Sequence, residues 1–270
     1  MYLNGVPKVT DDDLARIKDL KSLPRLGLAG TAVTDAGMVH LAGLTELTHL
    51  ELKATKVKDA GLVHLKPLTK LQQLHLPSGI TDAGLVHLKN HAALTHLFLG
   101  GAAVGDGALE HLKGMTKLRV LNLQGTRVTG PGLMALADMT ELTELTLDNA
   151  PVSGLDHLKA LNGLTRLSLN YTNVTGPSLA HLAKLPNLSM LFLEGTKLSD
   201  PDLVHLAGMN KLTVLNLSST AVGDAGLDQL KGLTNLTTLL LKDTKVSAEG
   251  VEKLRKALAK CEITTDTPKK

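Results

Sequence analysis

Leucine recurs along this chain in two interleaved rhythms. In LTHLELKATKV at 47–57 the leucines alternate with polar residues, the period-two pattern of a strand with one apolar face. A few residues on, as at Leu62 and Leu65, they fall three apart, after a Thr or Ser and then an Asp suited to the positive end of a helix dipole. The two patterns return together. Aligned on leucine, repeats begin at Leu23, Leu47, Leu71, Leu94, Leu118, Leu142, Leu164, Leu188, Leu212 and Leu236. Their spacing is 24 residues, except 23 after Leu71 and 22 after Leu142, and an approximate consensus is LTxLxLxxTxVTDAGLxHLxGLTx. Each repeat predicts a short strand, a turn and a short helix. One such unit cannot bury both of its apolar faces, so the units stack and share a continuous leucine core.

LTHLELKATKV at 47–57, LRVLNLQGTRV at 118–128 and LTVLNLSSTAV at 212–222 fit the signature L-x-x-L-x-L-x-x-N/C-x-L. Through them the chain resembles the leucine-rich repeat family over nearly its whole length. DAGL at 59–62, 82–85 and 224–227 looks most like the subtype of F-box-associated and bacterial repeat proteins. The resemblance implies an α/β fold, a right-handed horseshoe solenoid with a parallel β-sheet on its concave face and short helices on its convex face. Function varies widely across the family. Where the family places Asn or Cys, seven repeats carry Thr (Thr31, Thr55, Thr126, Thr172, Thr196, Thr220 and Thr244), which keeps a hydrogen-bonding group in the turn and predicts a threonine ladder. Ala102 and Ala150 interrupt it, and the shortened repeats at Leu71 and Leu142 predict local irregularity. The expected organisation is one solenoid domain: an N-terminal capping half-repeat at 1–22, ten repeats at 23–258, and a C-terminal cap end and flexible tail at 259–270.

In such a strand the residues between the leucines face away from the core, and here they vary. They include His49, His75, His96, Phe98, Val120, Asn122, Glu144, Asp148, Arg166, Met190, Phe192 and Glu194, with Tyr171 on the turn-side rim. Three of the four aromatic residues in the chain fall on this face, and exposed aromatics are the anchors that binding interfaces use. Stacked strands lie about 4.8 Å apart, so Phe98 and Phe192, four repeats apart, would be separated by roughly 20 Å, a span suited to a protein or peptide. These residues form the predicted protein-binding surface. Glu144 and Asp148 come from one strand and are expected within reach of Arg166. His49, His75 and His96 form a second cluster, open to a polar partner, a pH-sensitive role or a weak metal site, although no metal site is predicted.

Seven of the eleven histidines occupy one position of the helical segment, as in GLVHL at 61–65 and 84–88. With Met38, Leu41 and Leu44 inward, the helical period of about 100° per residue sets His40 on the flank, toward the next repeat. Packing and hydrogen bonding along the seam between repeats is the expected role of these histidines. His87 and His91 stand four apart and could chelate, but a third ligand is missing.

Composition narrows the function classes. Net charge is only +3, with both signs spread along the chain, which argues against a nucleic-acid stripe. One cysteine, Cys261, offers neither an intramolecular disulfide nor a zinc site. There is no signal-peptide pattern and no stretch of roughly 18 apolar residues, giving the expectation of a soluble, cytoplasmic, monomeric protein that uses neither nucleic acid nor membrane. GxSxG, P-loop, HExxH and dinucleotide-binding patterns are missing, so no catalytic role and no cofactor are predicted. The sequence reads as a protein-binding scaffold. The alternatives it leaves open are the recognition half of a ubiquitin-ligase adaptor or bacterial effector, and a metal- or carbohydrate-binding module.

Overall fold

The computed structural model describes residues 1–266. The tail expected at the end of the chain lies mostly outside the described residues. The chain forms two compact units, Met1–Val128 with Asp138–Leu142, and Thr129–Ala137 with the chain from Thr143 onward. In both, the predicted architecture holds: parallel strands in chain order, each followed by a short helix.

The first unit contains β1 (Arg25–Gly27), β2 (His49–Glu51), β3 (Gln73–His75), β4 (His96–Phe98) and β5 (Val120–Asn122). Equivalent residues pair in register, so Arg25, His49, Gln73, His96 and Val120 make one row and Gly27, Glu51, His75, Phe98 and Asn122 another. Between the rows run Leu26, Leu50, Leu74, Leu97 and Leu121, all buried. The second unit contains β6 (Glu144–Thr146), β7 (Arg166–Ser168), β8 (Met190–Phe192), β9 (Val214–Asn216), β10 (Thr238–Leu240) and β11 (Glu262–Thr264). Its rows are Glu144, Arg166, Met190, Val214, Thr238 and Glu262, then Thr146, Ser168, Phe192, Asn216, Leu240 and Thr264.

The threonine ladder forms as seven local bonds. Each hydroxyl donates to the carbonyl three residues earlier, from Thr31 to Leu28 O at 2.7 Å through to Thr244 to Leu241 O at 2.7 Å. The bond closes the turn within its own repeat, and no threonine reaches the next one. Just before each of these threonines, and before Ala102 and Ala150 at the same place in their repeats, the backbone turns left-handed, at Gly30, Gly101, Gly125 and Gly195 but also at Ala54, Asn149, Tyr171, Ser219 and Asp243. Alanine pays a steric cost there that glycine avoids. Ala54→Gly is therefore expected to raise stability by up to about 1 kcal/mol despite added freedom in the unfolded chain, a gain readable in urea denaturation. The Leu71 repeat, one residue short, lacks this left-handed residue. The Leu142 repeat keeps it at Asn149 (φ 58°) and instead loses the α-turn, passing into a 3-10 helix at Asp156–Ala160.

Many of the helices following the strands are barely one α-turn long, although Asp224–Leu230 and Ala248–Ala257 are longer and Pro131–Leu136 and Asp200–Leu206 are 3-10 throughout. Asp59–Leu62 and Asp82–Leu85 each tighten into 3-10 over the next three residues. The expected benefit of Asp at the helix start is only part of its role, because its carboxylate reaches forward into the next repeat. Asp35 accepts the Lys58 and Gly61 amides at 2.6 and 3.1 Å. Asp59 accepts the Thr81 amide at 2.8 Å and its hydroxyl at 2.5 Å, and in the second unit Asp224 holds Ser247 through amide and hydroxyl at 2.8 and 2.6 Å. These bonds hold the Asp224 carboxyl below the usual carboxylate range. The glycine two residues after each such Asp makes room for the carboxylate of the preceding repeat. A methyl group on Gly61 would stand 2.6 Å from Asp35 Oδ1.

In the segment expected to cap the start of the repeats, Val9 and Leu14, which stand 24 residues before Val33 and Met38, are buried, whereas Leu20 is 44% exposed. Toward the other end, Ala248–Ala257 is the longest helix among the described residues and β11 follows it. No helix among the described residues is long and apolar enough to cross a membrane.

Candidate functional site

The strand rows of the first unit bring His49, His75, His96, Phe98, Val120 and Asn122 onto one face, as predicted, all of them half-buried. Backbone pairing sets their positions, and neighbouring side chains set their chemistry. Thr48 donates its hydroxyl proton to Pro24 O at 2.9 Å, so its oxygen can only accept from His49 Nδ1 at 2.8 Å. Thr95 repeats the arrangement, with Gln72 O at 3.0 Å and His96 Nδ1 at 2.9 Å. Both rings are thereby fixed in the tautomer that leaves Nε2 as an acceptor. His75 accepts at Nε2 from the Gln73 amide at 2.9 Å and stacks on Phe98, with centroids 3.9 Å apart and planes 11° from parallel. Phe98, expected as an exposed ring, is covered on one side by its register partner His75.

Burial lowers the His49 pKa most, helped by Arg25 and His96 and opposed by Glu51. Burial also lowers that of His75, against Glu51 and with Lys53 and His96. Both imidazoles are neutral at pH 7. Glu51 accepts from Asn4 Nδ2 at 2.6 Å, and Asn122 accepts the Gln124 amide at 2.9 Å.

The second unit presents Glu144, Asp148, Arg166, Tyr171, Met190, Phe192 and Glu194. The ion pairing expected of Arg166 with Glu144 or Asp148 does not occur. Asp148 Oδ1 instead accepts the Ser168 hydroxyl at 2.5 Å and the Asn170 amide at 2.9 Å. Arg166 lies over the Phe192 ring, its guanidinium carbon 4.4 Å from the ring centroid, with Nη1 3.7 Å from Met190 Sδ. Phe192, like Phe98, is half-covered rather than open. The reason is register: Arg166 and Met190 share a row next to the one that holds Phe192.

Tyr171 is the most open aromatic of this face, 52% exposed, with a left-handed backbone (φ 56°). Its ring lies over Gly195, where a side chain would collide with it. Its hydroxyl donates to Glu194 Oε1 at 2.6 Å, which raises the phenol pKa, and Asn216 donates to Glu194 Oε2 at 3.0 Å. Beside Glu194 opens a cavity of about 240 Å³, lined by Asn216, Ser218, Leu240, Lys242 and Asp243 among others. That is below the roughly 300 Å³ of sites for drug-sized ligands and fits a single side chain.

The helix histidines are half-buried, without the hydrogen bonds expected of them. His40, His64, His111, His181 and His205 have no hydrogen-bond partner among the described residues, His157 lies 3.3 Å from Asp156, and Nδ1 of His87 is buried without a partner. Burial lowers the His87 pKa. Chelation by His87 with His91 is ruled out by geometry, because His91 is fully buried with Nδ1 3.1 Å from Leu88 O and Nε2 3.0 Å from Leu65 O. Sequence reasoning missed this residue as core. The available signal was its place in the repeat, where Leu44, Leu68 and Met115 stand elsewhere. Among the described residues no group of three or more His, Cys, Asp or Glu could hold a metal ion.

Residues 114–137 and 208–230 match a family model described as Leucine Rich repeat. With the parallel strands, in-register leucines and short helices, the match decides the architecture. The fold is a leucine-rich-repeat solenoid. Similar solved structures include an internalin (inlF) from Listeria monocytogenes, at TM-score 0.67 and 20% identity, covering 97% of this chain and 90% of that one. A leucine-rich repeat protein of Leptospira interrogans aligns at TM-score 0.71 and 20% identity, covering 93% of this chain and 74% of that one. A plant peptide hormone receptor, RGFR1 in complex with RGF2, aligns at TM-score 0.61 and 16% identity, covering 95% of this chain and 46% of that one. At these identities the likeness is one of fold. No curated protein matches the sequence.

Proposed function

We propose that the protein is a non-catalytic scaffold that binds a protein or peptide partner on the strand faces of its repeats. The observation that carries this reading is the pair of braced aromatics, Phe98 under His75 and Phe192 under Arg166, each half-open on a face whose other residues vary from repeat to repeat. Rings held in place lose little freedom on binding, and such anchors dominate interface energetics. Tyr171, left-handed, exposed and tied to Glu194, adds a third. The peptide hormone receptor RGFR1, similar in fold and solved in complex with RGF2, is in keeping with a peptide ligand.

Replacing both rings tests it. Phe98→Ala with Phe192→Ala is expected to abolish capture of the partner that the unaltered protein retains from lysate, identified by mass spectrometry. Truncating an anchor residue costs about 2 kcal/mol or more in binding, so loss of both is a large effect. Cooperative melting of the variant separates lost binding from lost folding. Unchanged capture of the same protein would sink the reading.

A further inference from the structure

We infer that Arg166 is the seat for a carboxylate of the bound peptide, an inference that rests on the strand face of the second unit being a peptide-binding surface. The guanidinium is half-buried and lies over the Phe192 ring, and its only hydrogen-bond contact among the described residues is the weak acceptor Met190 Sδ at 3.7 Å. Its donors meet no oxygen. The nearby carboxylates are turned elsewhere: Asp148 toward Ser168 and Asn170, Glu194 toward Tyr171 and Asn216. Glu144, its register partner on β6, is exposed and makes no ion pair with it.

An arginine stacked in this way is already ordered and partly desolvated, so a ligand gains its hydrogen bonds with little further ordering. The planar fork suits a carboxylate, which it grips through two parallel bonds. A phosphate has matching geometry but twice the charge near pH 7, and Glu144, Asp148 and Glu194 on the same face repel it more strongly than a monoanion. Phe192 and Met190, beside the guanidinium in register, offer an apolar shelf for the side chain next to the carboxylate. The cavity beside Glu194 accommodates one more side chain of an extended segment.

The carboxylate can come from an Asp or Glu side chain or from a peptide C-terminus, and two display formats distinguish them. Random peptides are selected against the full chain, once with free C-termini and once with the C-terminus fused to the carrier. Enriched peptides are expected to share an acidic residue in the fused format, or a common terminal residue in the free format. Their synthetic versions should lose about tenfold in affinity, or about 1.4 kcal/mol, for Arg166→Gln, and a similar amount when that carboxylate becomes an amide. Making both changes together should cost little more than either alone. Enriched peptides that share no carboxylate, that bind Arg166→Gln equally well, or that bind more tightly with phosphoserine in its place would overturn the seat, and the wider reading would stand if Phe192→Ala still weakened them. Failure to enrich peptides in either format would overturn the peptide-binding reading itself, and the seat with it. A melting temperature for Arg166→Gln within about 2 °C of the unaltered protein assigns the loss to binding.

Discussion

Gly84→Ala is expected to destabilise the protein by roughly 2–3 kcal/mol, although alanine in a helix is ordinarily better than glycine by about 0.5–1 kcal/mol. The added methyl group would collide with the Asp59 carboxylate and crowd the Asp59 backbone one repeat earlier. The carboxylate cannot swing aside freely, because it holds the Thr81 amide and hydroxyl at 2.8 and 2.5 Å. Asp59→Ala alone should cost about 1 kcal/mol, the usual loss of a capping contact. With Asp59 already shortened, the Gly84→Ala methyl has space, so the double variant should be clearly more stable than the sum of the single effects predicts. Gly208, with open space around its Cβ position, serves as the control, and Gly208→Ala should stay within about 0.5 kcal/mol of the unaltered protein. Denaturant titrations of the unaltered protein and the four variants decide the matter, and strictly additive single effects would refute the contact.

His91→Leu should stabilise the protein, by about 1 kcal/mol at pH 7.5 and by more at pH 5. A neutral imidazole carries one N–H, yet both nitrogens of His91 face carbonyl oxygens, so one lone pair opposes another. Removing the ring leaves neither carbonyl without a donor: Leu88 O keeps the His91 backbone amide at 2.9 Å, and Leu65 O keeps that of Leu68 at 2.8 Å. Leucine already fills the equivalent place at Leu44 and Leu68, both fully buried.

The pH dependence follows from burial, which lowers the His91 pKa below 6.5 and outweighs the two carbonyl contacts that raise it. A base whose folded pKa is depressed contributes no penalty above its unfolded pKa. As pH falls below about 6.5 the unfolded chain takes up a proton that the folded chain resists, so stability is lost. His49, His75 and His87 shift in the same direction and add to the loss. Melting curves from pH 7.5 to 5 should show a decline that is shallower for His91→Leu. Equal slopes for the two proteins would place the proton uptake elsewhere.

The strand rows were legible because period-two alternation fixes which side chains share a face, and the leucine spacing fixes the register between repeats. Thr31 and its six equivalents were legible as turn ligands for the same reason, since their bond is local. Contacts across repeats were not. That Asp35 meets Gly61, or that Arg166 lies on Phe192 and not against Glu144, depends on side-chain directions that spacing leaves open. His91 was hidden differently: it stands four residues after His87, which suggested a ligand pair, while its alignment with Leu68 carried the answer.

The contact between an aspartate and the glycine of the next repeat also fixes how this chain can be lengthened. Each repeat from Asp35 to Gly84 carries a plug facing forward and a socket facing back, offset by one whole repeat. A duplicated block of 24 residues such as 35–58 copies both halves, so each new junction reproduces an existing one. The 23-residue repeat that begins at Leu71 and carries Gly84 keeps its contact with Asp59 as well, so what a block must preserve is the pairing of one plug with one socket. The protein is thus extensible by whole repeats, each joined to the next by a carboxylate and the hydrogen atom that glycine presents to it.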